Sequence, residues 1–141
     1  MESYPTLKPH RLSIALFQPQ IAANTGNIAR LCVASGTHLH LVRPMGFILG
    51  DRQLKRSAMD YWPRLKFTLH DDTDAFLEAM KSVRFVLFTS KSNRSFWDLP
   101  KQEADCLVFG SETAGLPEAF VSRHRETAVR IPQMPDERCL N

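Results

Sequence analysis

Along the chain, short apolar runs alternate with segments whose apolar positions recur at helical spacing. Residues 11–17 (RLSIALF) have the character of a buried strand, and Pro19 marks its exit. Asn24-Thr25-Gly26-Asn27 can cap and open a helix, after which Ile28, Leu31, Cys32 and Ser35 follow at three- and four-residue intervals. Gly36 is placed to end that helix. Residues 37–42 (THLHLV) alternate and predict a second strand, closed by Pro44 and Gly46. Asp51 can cap a short helix with Leu54, Ser57 and Ala58 on one side and Arg52, Lys55 and Arg56 on the wetter side. Residues 66–70 read as a short strand, and Asp72 as the cap of a helix presenting Phe76, Leu77 and Met80. Further strands are predicted at 83–89 (VRFVLFT), 106–109 and 127–131, with Pro117 in the first turn of a short helix before the last.

Strands separated by helices predict an α/β domain with a mostly parallel sheet and flanking helices. Such a sheet binds ligands beyond the carboxyl ends of its strands. The 141 residues fit one domain, and 43% hydrophobic content is enough for a core. No apolar run is long enough to span a bilayer, and Met1–His10 lacks a signal-peptide centre, so no membrane is expected and the cytoplasm is the default compartment. Cys32, Cys106 and Cys139 lack zinc-site spacing, and the five histidines form no close ligand set, so no metal is expected. Cys32 and Cys106 lie in apolar stretches and read as small core residues. A net charge of +3 and a pI near 8.9 are compatible with nucleic acid without requiring it.

The candidate chemistry lies in loops. No GxGxxG follows the first strand, and no Walker lysine motif is present. The first turn is instead Gln18–Asn27, where Gly26 permits a tight turn and a helix start can receive an anion or merely be capped. Gly110-Ser111-Glu112-Thr113-Ala114-Gly115-Leu116-Pro117 follows a predicted strand. Its backbone amides can recognise a ligand, or the segment is a turn into a helix; Glu112 can pair with a base or cap local backbone groups. The last segment, 131–141, leaves its strand as a Pro-rich loop.

Together these segments resemble the SPOUT RNA 2'-O-ribose methyltransferases, most closely the small group acting at the tRNA wobble position. The stretch Pro19–Arg30 (ending NTGNIAR) is similar to the family's first motif, and RPMGF at Arg43–Phe47 to the stretch after its second strand. Leu54 and Asp60-Tyr61-Trp62 sit where the wobble enzymes carry a related segment. VFGSETAGLP at Val108–Pro117 resembles motif two, and IPQMPDERCLN the start of motif three. The resemblance implies a trefoil-knotted fold, S-adenosylmethionine as cofactor, and a homodimer. It implies cofactor contacts at Phe88, Gly110, Ile131 and Cys139, the last at a position more typically Ser. It also implies that residues 1–10 are an N-terminal extension and 11–141 the methyltransferase domain. Relatives continue past the Asn141 position through a turn and a C-terminal helix that lines the pocket, so the domain is expected to be incomplete at that end.

The activity so implied is methyl transfer to the 2'-hydroxyl of the wobble nucleotide, cytidine or uridine 34, in a leucine tRNA subset. The substrate is RNA, not DNA, because the reacting hydroxyl is what distinguishes them. Arg30 matches the motif-one arginine. As a permanent cation it is a poor base, and it is expected to orient a phosphate and stabilise a developing alkoxide; the plainer reading is a salt bridge. Asn24, Asn27, Glu112 and Gly115 are expected to support the loops. Arg52, Lys55 and Arg56 are candidates for phosphates of the anticodon stem-loop, or form a solvated helix face. Tyr61 and Trp62 can stack on a base or pack beneath that helix. Two alternatives are a non-enzymatic RNA-binding or dimerisation protein on the same scaffold, and a ribose methyltransferase for another tRNA or rRNA site.

Overall fold

The computed structural model describes residues 7–49 and 61–135. Within them the chain forms strands β1 (Ser13–Phe17), β2 (His38–Val42), β3 (Phe67–His70), β4 (Phe85–Phe88), β5 (Cys106–Phe109) and β6 (Ala128–Val129). Three α-helices accompany them: α1 (Ala22–Ser35), α2 (Thr73–Ala79) and α3 (Glu118–Arg123). All six predicted strands are present, each within the expected span. The short helix predicted from Asp51 lies outside the described residues.

The strands form one sheet in the order β3-β2-β1-β5-β4-β6, and every neighbouring pair is parallel. β1 is central, with Ile14 opposite Leu39 on one side and Leu107 on the other. Because strand side chains alternate, the two faces of β1 build two cores. Ala15 and Phe17 join Val42, Leu87, Val108, Phe76 of α2 and Phe120 of α3. The Phe17 ring meets Phe76 edge-on at 5.2 Å and Phe120 at 4.8 Å. On the opposite face, Leu16 packs with Leu39, Leu41, Ala29 and Cys32, the last two from α1. Helices thus cover both faces, as an all-parallel sheet requires. Cys32 and Cys106 are buried free thiols, and burial pushes each up to about 11, consistent with the core role expected of them.

Two helix boundaries differ from expectation. α1 starts at Ala22, with Ile21 as an N-cap that makes no side-chain cap, so Asn24 lies inside the first turn. Pro117 stands just before α3 as its N-cap, not within its first turn. The remaining signals act as anticipated. Gly36 ends α1 at φ +69°, its N–H directed at the Cys32 and Val33 carbonyls. The Asp72 carboxylate accepts from the Ala75 N–H at 2.7 Å.

From β1 the chain winds outward to β3, returns at β4, and places β5 against the free side of β1. The loops leaving β1 and β5 head for helices on opposite faces, which opens a crevice beyond their carboxyl ends.

Candidate cofactor and substrate site

A cavity of about 680 Å³ occupies that crevice. Asn24, Thr25, Asn27, Ile28 and Leu31 line it from α1, at the spacing of one helix face. The β4 exit adds Phe88, Thr89, Ser90 and Lys91; the β5 exit adds residues 109–116; Arg130, Ile131 and Gln133 follow β6. Its floor is aromatic, with Phe88 and Phe109 stacked at 4.5 Å and 9°.

The shape of the β5 loop explains its glycines. Ser111 and Gly115 bridge each other, Gly115 N–H to Ser111 O at 3.0 Å and Ser111 N–H to Gly115 O at 3.3 Å. The Ser111 hydroxyl also accepts from the Ala114 N–H at 2.9 Å. Closing so small a ring puts Gly115 at φ +68°, where a side chain is strained. It also folds the Gly115–Leu116 backbone onto Gly110, leaving no room there for a Cβ.

Glu112 ties this loop to the first one. Its Oε1 accepts from the Gln20 N–H and its Oε2 from the Ile21 N–H, both at 2.9 Å, and Oε2 also from Asn24 Nδ2 at 3.2 Å. The missing local cap of α1 is therefore supplied from 91 residues away. Burial opposes ionisation of this carboxyl, but the backbone N–H groups and Asn24 outweigh it and hold it below the usual range. The RPMGF segment packs on the same loop. Gly46 N–H donates to Pro19 O at 2.9 Å, and a Cβ at Gly46 would meet the Gln20 backbone.

The site therefore brings together Phe88, Gly110, Ile131, Asn24, Asn27, Glu112 and Gly115. Arg30 does not join them. It is exposed outside the cavity walls, with its guanidinium 5.1 Å from the centre of the Tyr61 ring. Tyr61 also receives Arg64, while Trp62 packs on Phe67 at 5.0 Å. Cys139, Arg52, Lys55 and Arg56 lie outside the described residues.

Thr25 was visible in the sequence only as part of a turn. It is 1% exposed, lines the cavity, and its hydroxyl has no hydrogen-bond partner among the described residues. A buried hydroxyl left unpaired is costly unless a ligand satisfies it. Lys91 and Arg130 at the rim were likewise not anticipated, since only the fold brings the β4 and β6 exits together. Among the described residues, no group of three His, Cys, Asp or Glu side chains is arranged to hold a metal, and no helix is long and apolar enough to cross a membrane.

The family model described as SpoU rRNA methylase matches residues 11–141. The chain belongs to the SpoU rRNA methylase family. A relative from Methylovorus glucosotrophus, named tRNA (cytidine(34)-2'-O)-methyltransferase, is 45% identical over 132 residues, covering 91% of this chain and 84% of the relative. A solved structure concerned with 2-OH methylation of C/U34 on tRNA is 41% identical with a TM-score of 0.90, covering 95% of this chain and 88% of that one. An AdoMet-bound rRNA methyltransferase from Sinorhizobium meliloti shares the fold at 22% identity and a TM-score of 0.83, over 96% of this chain and 52% of that one. The parallel sheet of this SpoU family member is thus the SPOUT methyltransferase fold that the motifs implied.

Proposed function

We propose that the protein transfers a methyl group from S-adenosylmethionine to the 2'-hydroxyl of the wobble nucleotide, cytidine or uridine 34, of tRNA, with leucine tRNAs as the expected subset. The observation that carries this reading is convergence. Three segments far apart in the chain, around Asn24, Glu112 and Ile131, line one cavity at the switch point of a SPOUT sheet. The 45% identity to the Methylovorus enzyme supports the tRNA wobble ribose as the target.

The cavity suits the cofactor. Its volume falls within the ~300–1,000 Å³ common for such ligands. The stacked Phe88–Phe109 floor offers a flat ring an apolar bed, the β5 loop exposes backbone polar groups, and Thr25 holds an unpaired hydroxyl. Phe88, Gly110 and Ile131 are the residues that would hold it, with Cys139 as a fourth. When bound, S-adenosylmethionine supplies an electrophilic methyl group on a sulfonium sulfur.

The protein's part is orientation and electrostatics. Glu112 locks the two loops so that the cofactor and ribose subsites keep their spacing. Arg30 is the residue assigned to the 2'-hydroxyl and its phosphate. It neighbours the cavity-lining Leu31 but rests on Tyr61, so it acts either by leaving that ring or by serving the cavity of a second copy. Exposed Ile21, the N-cap of α1, and Leu31 within it favour a homodimer that covers this helix. Arg52, Lys55 and Arg56 are assigned to phosphates of the anticodon stem.

The test is mass spectrometry of nuclease fragments from tRNA incubated with the protein and S-adenosylmethionine. A new methyl on the ribose of nucleotide 34 is expected. Modification confined to a base or to a ribosomal RNA ribose would overturn the assignment, and tRNA bound but unmethylated would make the chain a binding scaffold.

A further inference from the structure

Residues 89–101 (TSKSNRSFWDLPK) run along the outer edge of the sheet from the cavity rim, and they present Trp97 to solvent at 75% exposure. This exposure is not slack in the chain, because the segment is pinned on both sides of the ring. Phe96 N–H donates to Arg130 O, and Arg130 N–H to Arg94 O, both at 2.8 Å. The Ser95 hydroxyl accepts from the Trp97 N–H at 3.2 Å, opening a short 3-10 turn (Phe96–Asp98), and Leu99 anchors its far side in the core. The fold therefore holds Trp97 outward.

Its surroundings are basic. Lys101 Nζ donates to Phe96 O at 2.7 Å and lies 4.0 Å from the centre of the Phe96 ring and 5.8 Å from that of Trp97. Arg94 is fixed by donation to Glu126 O at 2.7 Å, and Lys91 and Arg130 line the cavity rim. Asp98 and Glu126 are the acidic side chains in the same segments. Trp97 is also connected to the site through rings, touching Phe96 at 5.4 Å, which touches the cavity-floor Phe88 at 5.4 Å.

A rigid exposed aromatic flanked by cations, beside a cavity proposed to receive a ribose, has the chemistry of a single-strand stacking platform. Double-stranded RNA offers no free base face to such a ring, whereas a loop does. We infer that Trp97, with Lys101, Arg94 and Lys91 for the adjoining phosphates, binds an unpaired base next to the nucleotide whose ribose enters the cavity. This rests on the tRNA reading above and adds to it the residue that selects loop over stem.

The experiment compares wild type, Trp97→Ala and Trp97→Phe for binding of an anticodon stem-loop RNA and of the same stem as a blunt duplex. Methyl transfer is measured at saturating RNA, and mass by light scattering. Trp97→Ala should raise the stem-loop Kd about tenfold, within the range seen for loss of one base–aromatic stack. Trp97→Phe should retain most of the affinity, while duplex binding and the saturated rate stay unchanged. Since the chain has two tryptophans, Trp62→Phe leaves Trp97 as the sole source of tryptophan fluorescence, and stem-loop RNA should quench it. An unchanged stem-loop Kd for Trp97→Ala, an equal loss on the duplex, or a change in mass pointing to a covered interface between copies would overturn the inference. If no tRNA is methylated yet loop RNA quenches Trp97, the methyl-transfer reading fails and the platform stands. If tRNA is methylated and Trp97→Ala binds like wild type, the platform alone fails.

Discussion

The two ends of one parallel sheet differ in one buried polar group. At the amino ends, a second cavity of about 500 Å³ is lined by Arg11, Ser13, His38, His40, Arg84 and Asp105. Its buried groups have partners. Asp105 accepts from Arg84 Nε and from a terminal Arg84 nitrogen at 2.9 Å, and from the Gln102 N–H at 2.8 Å. His40 Nδ1 and His70 Nε2 lie 2.9 Å apart. At the carboxyl ends, the Thr25 hydroxyl is buried and has no partner among the described residues. Cavities of similar size therefore differ in what their polar atoms still lack. Paired groups such as Asp105 and Glu112 specify structure, whereas the Thr25 hydroxyl is left for a ligand.

The comparison predicts separable failures. Asp105→Ala strands a partly buried guanidinium and should cost about 3 kcal/mol of stability, the lower end for breaking a buried pair because Arg84 is partly exposed. Urea denaturation would measure it, and methyl transfer per folded molecule should change little. A loss of cofactor affinity with intact stability would instead make the amino end functional.

Acidification should act on the same end. Burial, then the neighbouring His38 and His70, push His40 down to about 4; burial, then His38, lowers His70 as well. A folded-state value depressed below the ordinary 6.5 means that the neutral pair gives its full stability above about pH 6.5 and loses it as pH falls toward 4. The unfolding free energy from urea denaturation should fall over that window, by about 2 kcal/mol. His40→Phe should flatten the profile.

Glu112→Ala removes the distant cap of α1. A loss of about 1 kcal/mol in stability is expected, as for other caps. Methyl transfer should suffer more than stability does, because both site loops lose their shared tie. Equal cofactor affinity and rate in this variant would reduce Glu112 to a structural cap. Smallest of all, Thr25→Val should leave stability unchanged or slightly raised while weakening cofactor binding by about fivefold, near the usual value of one neutral hydrogen bond. Isothermal titration with S-adenosylhomocysteine reads this directly.

How legible each part was depends on how local its cause is. The strands were visible because SIALF and FVLF are apolar runs and HLHLV alternates, and a two-sided sheet buries both patterns. Gly36 and Asp72 acted as stop and start because their capping bonds span only a few residues. The start of α1 was misplaced because its cap is Glu112, which no local reading reaches. Phe88, Gly110 and Ile131 were identified through motif resemblance, and the parallel topology gathers them at one end. Arg30 was identified by the same resemblance, but motif likeness does not give direction. The cavity face of α1 carries residues 24, 27, 28 and 31, and Arg30 points away to Tyr61. Trp97 has no periodic apolar neighbours, so nothing in the pattern set it apart before the turn around it was seen.

The central claim is that the carboxyl-end cavity, not its counterpart at the amino ends, binds the cofactor. A crystal structure of the protein grown with S-adenosylhomocysteine tests it most directly. The ligand is expected between the Phe88–Phe109 floor and the Gly110–Leu116 loop, with the Thr25 hydroxyl hydrogen-bonded to it. Density beside His40 and Arg84 instead, with the carboxyl-end cavity empty, would contradict it.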